Sequence, residues 1–432
     1  MKGFKDLFKE YLNAARVGWF LAIRQIRRSG KGTTGLIIFI MVLTFINLVV
    51  VSGLLVGLIS GSFKQFRESY SGEVIITSAP GKDYIENSPA LIAFLESHPK
   101  VYAISPRRNV SAQVLGTLND LPEKNERPNR IGLRLTGINP DLEEKVTGFS
   151  RFLKYGENLR YGEEGYMLIG SNLLKKYSAF ADANIPGLDL LEDVDVGSKV
   201  RATITTSDGN LVIKEFIVKG IVKSKVDEVS ARMFVLDTEL KRMIPANKEQ
   251  VQEIAIKTDY ITAPLLVQQI KNFMGTNAAR IQTTDEAIPS FIRDVETTFA
   301  ILGNALSSIA LVVAAITVFI VIFINAVTKR KFIGIMKGIG ISPLAIQFSY
   351  IIQAFFYGVA GSIIGLVLTF AVLKPYFNAH PIDFPFSDGI LVATPEGAAI
   401  RVLILLAVTL VSGYLPAKLI VRKNTLDSIL GR

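Results

Sequence analysis

The chain contains no cysteine and only two histidines, His98 and His380, each followed by proline. Without cysteine neither a disulfide framework nor a thiolate metal site can form, and the redox compartment is left undetermined. Two histidines so far apart give no basis for a His-based metal or catalytic cluster. Charge is missing from three long runs, residues 35–61, 299–327 and 346–373. Each exceeds the roughly 20 apolar residues that a helix needs to cross a bilayer core. That absence excludes an ordinary soluble domain. With 49% hydrophobic residues and a mean hydropathy of +0.37, the 432 residues read as a membrane protein.

A complete phosphate-binding loop is lacking as well. "SGKGTTG" (29–35) looks like a fragment of one, but the motif needs G-x-x-x-x-G-K-[ST] after a strand. Here Gly30-Lys31 is followed by Gly32, the residue five before Gly30 is Gln25, and an apolar run comes next. The stretch reads as a flexible basic hinge, and the chain is not expected to hydrolyse ATP or to bind a cofactor itself. The acidic neighbours Glu163/Glu164 and Asp193/Asp195 lie in polar, glycine-flanked stretches. They read as solvated loops, because a catalytic carboxylate dyad needs burial to separate its two pKa values.

What is present is a pattern of four spans. To the three uncharged runs is added 398–420, interrupted by Arg401, placed near enough to the interface to snorkel, and by Pro416. The net charge of +10 comes from 48 Lys and Arg against 38 Asp and Glu. On a soluble protein this would suggest nucleic acid; here the basic residues crowd the ends of the apolar runs, and no nucleic acid is expected. Lys2, Lys5, Lys9, Arg16, Arg24, Arg27, Arg28 and Lys31 precede the first span. Lys329, Arg330, Lys331 and Lys337 follow the second, and Lys418, Arg422, Lys423 and Arg432 close the chain. The loop 374–397 has one Lys against Asp383, Asp388 and Glu396. The positive-inside rule then puts both termini and the 328–345 segment in the cytoplasm, and 62–298 outside. The basic region before the first span is too long, and its apolar run too extended, for a cleaved signal peptide.

The organisation expected is an amphipathic helix and hinge over 1–34, a first span over 35–61 and an extracytoplasmic α+β domain over 62–298. The remaining spans cover 299–327, 346–373 and 398–420, with a tail over 421–432. In the outside domain "EVIITS" (73–78) and "VQEIAIKT" (251–258) alternate as half-buried strands, each followed by a helical stretch. This is a βα unit given twice, whose halves would pack into one sheet with helices on a face. Between them lies an inserted strand-rich subdomain at about 130–245. In it "GEEGYMLIGSNLLKKY" suggests strand then helix, and 197–224 a hairpin turning at Asp208-Gly209.

Three shorter patterns stand out. Phe4, Leu7, Phe8 and Leu12, then Trp19, Phe20 and Ile23, recur at helical spacing among basic residues, as in a helix lying in the membrane plane. Gly53, Gly57 and Gly61 form a G-x-x-x-G-x-x-x-G face on the first span, and Gly361 and Gly365 a shorter one on the third. Small residues of this kind let helices approach closely. In "KRKFIGIMKGIG" (329–340), Phe332, Ile335, Met336 and Ile339 share a helical face, with Arg330, Gly334 and Lys337 on another. Gly338, Gly340 and Pro343 end that helix. A short helix with an apolar face and a basic rim, held between two spans, suits docking into a cytosolic partner.

The stretch "RKFIGIMKGIGISPLAIQFSYIIQAFFYGVAGSIIG" resembles the "REIGILKALGAS…I…F…EA…G…GG…G" pattern of permease subunits in the MacB/FtsX/LolC-LolE superfamily of ABC transporters, also called type VII or mechanotransmission transporters. "PAKLIVRKNTLDSILGR" echoes that family's C-terminal "PARRAARLDPIEALR", and "GINPD" (137–141) is similar to a turn in its MacB-like periplasmic core domain. The sequence departs from the family at Gln353, where Glu is common in MacB-like members, and at Leu426-Asp427, in place of Asp-Pro.

The resemblance implies four transmembrane helices with a two-subdomain outside domain between the first and second, in the cytoplasmic membrane. It implies that Arg330, Phe332, Ile335, Met336, Lys337, Ile339 and Gly340 belong to a coupling helix that contacts a separate cytosolic ABC ATPase, which would carry the ATP and Mg. A second permease chain, like or unlike, would complete a dimer, with the first-span glycines as a candidate seam. A periplasmic adaptor or a lipoprotein would be a further partner, besides membrane lipid. The function implied is export or extraction of a lipoprotein, lipid or hydrophobic substrate. The alternative is an FtsX-like regulator that signals ATPase state to a cell-wall hydrolase without transport.

Overall fold

The computed structural model describes residues 2–28, 30–116, 129–178, 181, 189–206, 209–244, 249–275, 278–384 and 387–421. The expected tail, with Leu426-Asp427, lies outside the described residues from 422 onward. The chain divides into one unit of residues 1–59, 294–384 and 388–432 and a second of 60–293 and 385–387.

The first unit is helical. It holds α1 (Lys2–Arg28), most of α2 (Lys31–Phe66) and α9 (Ser290–Thr328), then α10 (Arg330–Gly338), α11 (Pro343–Leu368), α12 (Lys374–Ala379) and α13 (Pro395–Val421). A π-helical turn, Thr369–Leu373, joins α11 to α12 without a break. Four of these segments are long and apolar enough to cross a membrane. With 36 and 39 residues, α2 and α9 exceed the roughly 20 that a bilayer core requires. The uncharged runs mark only part of each helix. Proline at 416 does not stop α13, which continues to Val421.

The core of this unit gathers Met41 and Phe45 from α2, Tyr350, Ala354 and Tyr357 from α11, and Leu405 and Ala417 from α13. The second span contributes Ala314, Val318, Ile322 and Ala326, spaced by four, so one narrow stripe of α9 is buried and its other faces stay open.

Among the described residues, the second unit is built on one ten-stranded sheet. Its first part comprises β1 (Val74–Ser78), α3 (Ser88–Ser97) and β2 (Val101–Leu115), then β9 (Glu253–Thr258), α7 (Ala263–Met274) and β10 (Ala279–Thr283). These strands lie in the order β10-β1-β9-β2, all neighbours antiparallel. Leu91 and Leu95 of α3 and Leu266 and Ile270 of α7 share one core with Val74, Ile76, Ile254 and Ile256. The twice-given βα unit is therefore two interleaved halves of a ferredoxin-like sheet.

The second part holds β3 (Arg130–Ile138), α4 (Pro140–Thr147), β4 (Leu153–Gly156), β5 (Tyr166–Gly170), β6 (Lys199–Thr205), β7 (Leu211–Val222), α5 (Asp227–Ser230), β8 (Arg232–Leu236) and α6 (Asp237–Met243). Pairings run β2-β3-β8-β5-β7-β6 and return to β2, a closed ring of strands that removes its own edges. Val114, Leu135, Ile169, Val200, Phe216 and Met233 fill it. The strand-rich subdomain does not begin at 130. The half of β2 from Arg108 to Leu115 pairs with β3 and β6, so one long strand serves both parts. After β5 the chain makes only a 3-10 turn, Ser171–Leu173, in place of the expected helix. Leu173 and Leu174 are both buried, and consecutive buried positions suit an extended chain that bridges to Leu191. The β6–β7 hairpin forms as expected with Gly209 at φ +79°; Asp208 lies outside the described residues. The described residues also include α8 (Thr284–Ala287) and the paired short strands β11 (Ile382–Phe384) and β12 (Ser387–Gly389).

Candidate functional site

The basic segment between the second and third spans folds as α10, two turns fixed at both ends. Its first turn follows α9 almost directly, with the Ile333 amide bonded to the Lys329 carbonyl at 3.0 Å. At its C-terminus Gly340 takes φ +94°, a conformation that suits glycine. The Gly340 amide donates to the Lys337 carbonyl and the Ile341 amide to the Met336 carbonyl, each at 3.0 Å. This is a Schellman closure, and Ile341 and Met336 supply apolar contacts beside it. Gly338 is the last helical residue, and the turn away from the helix falls on Gly340. Ser342 then caps α11, its hydroxyl accepting from the Ala345 amide at 3.2 Å, with Pro343 in the first turn.

The residues expected on one apolar face separate into two sets. Phe332, Ile335 and Ile339 are 67, 51 and 73% exposed. Met336 is half-buried and packs against the core of the helical unit, so it is not a free knob. Ile333, absent from the expected set, is 1% exposed and anchors the helix in that core, with Gly334 buried beside it. The sequence does carry a sign of this. The buried row of α9 reads Ala314, Val318, Ile322 and Ala326, and Ile333 stands one heptad beyond Ala326.

Lys337 is no rim cation either. Its Nζ donates to the Val421 carbonyl, closing the C-terminal end of α13, and burial pushes its pKa down. Arg330 is half-buried at the start of the helix. What faces outward is a compact apolar patch of Phe332, Ile335 and Ile339. Burying such a side chain is worth about 1.5–3 kcal/mol, enough for three of them to anchor a partner.

The glycines of the first span serve different neighbours from those expected. A Cβ on Gly53 would lie 2.8 Å from Leu391 Cδ1, and one on Gly57 would lie 1.8 Å from the Ile390 carbonyl oxygen. The Gly53 carbonyl also accepts from the Val392 amide at 3.1 Å. Both face the chain's own 390–392 loop, so at these two positions the face is already occupied and is not a helix–helix seam. Gly61 is half-buried. Gly361 and Gly365 do lie between helices, where a Cβ would come 2.3 Å from Met41 Cβ and 2.4 Å from Phe45 Cδ1. Gly57→Ala is expected to lower the melting temperature of the detergent-purified chain. Gly35→Ala, whose Cβ would meet nothing within 4 Å, should leave it unchanged.

Arg401 does not snorkel away from the helices. Its guanidinium donates to the Leu48 carbonyl at 2.8 Å, the Ser52 hydroxyl at 2.6 Å and the Gly397 carbonyl at 2.8 Å, which ties α13 to α2. On α1 a stripe of Ala14, Gly18 and Ala22 is the packing face: Ala14 and Ala22 are buried, and a Cβ on Gly18 would meet Phe348 Cβ at 2.7 Å. Gln353 donates to Gln25 Oε1 at 2.6 Å across the same contact. Trp19, Phe20 and Ile23 are exposed. The side chains of Phe4, Leu7 and Phe8 lie outside the described residues.

The second unit contains a constellation that no sequence pattern announces. Arg107, Glu143, Arg232 and Glu253 are 3, 2, 5 and 1% exposed, and all but Glu143 bond Tyr70 directly. Arg107 bonds Glu143 through Nε at 2.8 Å and Nη2 at 2.6 Å, and Glu253 through Nη1 at 2.5 Å. Its Nη2 also donates to the Tyr70 carbonyl at 2.7 Å. Arg232 reaches Glu253 at 3.3 Å and the Tyr70 hydroxyl at 3.1 Å, while that hydroxyl donates to Glu253 at 2.9 Å. Burial alone would raise the Glu253 carboxyl, but the Arg232 and Arg107 charges outweigh it and hold the pKa at about 2. Burial pushes the Tyr70 phenol up, and Glu253 adds to the shift. Two cations against two anions, all hydrogen-bonded, make a structural lock joining β2, α4, β8, β9 and the π-helical turn Arg67–Ser71 that follows α2. Among the described residues no group of three His, Cys, Asp or Glu could hold a metal.

Among the described residues, four candidate spans, a large α/β domain between the first and second, and a short pinned helix between the second and third give the organisation of a multi-pass membrane protein. Residues 304–425 match the FtsX-like permease C-terminal family model. The chain is 24% identical over 346 residues to the lipoprotein-releasing system transmembrane protein LolC of Neisseria meningitidis, covering 75% of this chain and 76% of that one. It is 28% identical over 137 residues to the ABC transporter permease YtrF of Bacillus subtilis, 28% of this chain and 30% of that one. The periplasmic region of MacB from Actinobacillus actinomycetemcomitans is similar at 14% identity and a TM-score of 0.34, over 51% of this chain and 92% of that one. The extracellular domain of YknZ from Gram-positive bacteria is similar at 14% identity and a TM-score of 0.31, over 49% and 99%. Residues 304–425 are thus similar to FtsX-like permeases, and about three quarters of the chain is similar to a LolC transmembrane protein.

Proposed function

We propose that this chain is a permease subunit of the MacB/FtsX/LolC type of ABC transporter, the membrane subunit through which a separate cytosolic ABC ATPase drives movement of the second unit. The reading is supported above all by the patch of Phe332, Ile335 and Ile339, three exposed apolar side chains on a helix whose other side is anchored by Ile333 and Met336. A helix fixed between two spans passes a push on that patch directly to α9 and α11. ATP and Mg reside on the partner, in keeping with the missing phosphate-binding loop.

The protein sits in the cytoplasmic membrane, with both termini and α10 inside and the second unit outside, as the distribution of Lys and Arg supports. A second permease chain, identical or homologous, completes the assembly, and the open faces of α9 are wide enough to receive it or lipid. The substrate class is a lipoprotein, lipid or other hydrophobic molecule, extracted or exported on the outer side with or without a periplasmic adaptor. The similarity to a lipoprotein-releasing protein supports that class. A photo-reactive residue in place of Ile335, activated in native membranes, is expected to cross-link to an ABC ATPase. One in place of Ile324, exposed on the second span, should not. Equal labelling from both positions would refute the coupling role of α10.

A further inference from the structure

A groove of about 500 Å³ runs between α1 and α11, walled by Trp19 and Ile23 on one side and by Ile352, Phe355 and Phe356 on the other, with Arg27 at its margin. Its lining is almost wholly apolar, yet Trp19 is 57% exposed and Phe355 and Phe356 are 42 and 40% exposed. The groove is a fixed feature, because the two helices that form it are held together by the Gly18 contact and the Gln25–Gln353 bond.

The charge around it has one sign. Residues 11–28 of α1 carry Arg16, Arg24, Arg27 and Arg28 and no acidic residue, and Lys31 follows. Tryptophan beside arginine is the chemistry of the headgroup region, and aromatic and aliphatic side chains facing outward from a span are the chemistry of acyl chains. A soluble ligand would find few polar partners there. We propose that this groove is a binding site for an anionic glycerophospholipid, with one acyl chain along Ile352, Phe355 and Phe356 and the phosphate beside Arg27. The site goes beyond the coupling function, and neither depends on the other. Its occupant wedges α1 against α11, the helix that leads out of α10.

The test uses the full chain, purified in mild detergent and mixed with phosphatidylglycerol or phosphatidylcholine of identical acyl chains, with retained lipid read by native mass spectrometry. Wild type is expected to retain phosphatidylglycerol preferentially. Arg27→Gln should reduce that preference about five-fold, the worth of one cation near an anionic headgroup. Lys82→Gln, an equal loss of charge in the other unit, should leave it unchanged. Ile352→Trp, which fills the groove, should lower retention of both lipids. Equal retention of the two lipids by wild type, or a preference unmoved by Arg27→Gln, would overturn the proposal. So would a photo-reactive residue at Phe356 that labels a protein instead of lipid in native membranes, since the occupant would then be a partner helix.

Discussion

Glu253→Gln is expected to destabilise the second unit by about 3–5 kcal/mol, the usual cost of removing one partner from a buried ion network. The substitution keeps the shape of the side chain but leaves Arg107 and Arg232, both nearly inaccessible, with one carboxylate between them instead of two. For a unit of this size each kcal/mol lowers the melting temperature by about 2–4 °C, so the β-sheet ellipticity of the purified full chain should melt about 10 °C lower. The same network predicts acid sensitivity. The folded-state pKa of Glu253 is held at about 2, below its ordinary value of 4.5. A depressed carboxylate contributes stability that is complete above its unfolded pKa and is lost as pH falls toward the folded one. The loss should therefore occur between about pH 4.5 and pH 2 in wild type, and its share from this group should be missing in Glu253→Gln. An unchanged melt would mean that the unit tolerates two buried arginines with a single carboxylate, and Glu253 would have no energetic role in the lock.

The second large effect lies on α10. Ile335→Glu combined with Phe332→Glu is expected to abolish recovery of an ABC ATPase with the purified chain while leaving its melting temperature within a degree or so of wild type. Both side chains are more than half exposed, and surface substitutions away from packed features usually change stability by less than about 0.5 kcal/mol. Met336→Glu and Ile333→Glu should behave in the opposite way. They insert a carboxylate into the core of the helical unit and should lower stability whether or not the ATPase is present. The split between adjacent residues separates a docking surface from its support, a distinction that a single loss-of-function variant would not make.

Much of this organisation is legible in the sequence, for physical reasons that also mark where legibility ends. Spans are visible because charge within a bilayer core is costly over about 20 residues, and the loss of charge in 35–61, 299–327 and 346–373 is unmistakable. The C-terminus of α10 is visible because a left-handed closure calls for glycine, and Gly340 is there. Which side of α10 faces the bundle is not visible: Phe332, Ile333, Ile335, Met336 and Ile339 form one continuous apolar arc, and only the packing of Ile333 into the helical core shows which edge of it is buried. Gly53 and Gly57 read as a helix seam because their spacing is that of a seam. Nothing in their neighbourhood in sequence announces the 390–392 loop that fills it.

The buried network escapes a sequence reading for a related reason. Arg107 and Glu253 stand on strands, where a charged residue normally marks the solvent side, and the partners of Arg107 lie 36 and 146 residues away from it. Closure of the strand ring depends likewise on pairing β2 with β6, a contact between segments that share no local pattern. The two βα units are recognisable from alternation alone, because each carries its own signal within about 25 residues.

The most direct test of the coupling role is purification of the tagged wild-type chain from its native membrane, followed by an assay of ATP hydrolysis and identification of the proteins that accompany it. An ABC ATPase is expected in the sample, with hydrolysis that disappears together with that protein in the Phe332→Glu, Ile335→Glu variant. A folded wild-type chain recovered with no ATPase, or an ATPase retained at full level by the variant, would contradict that role.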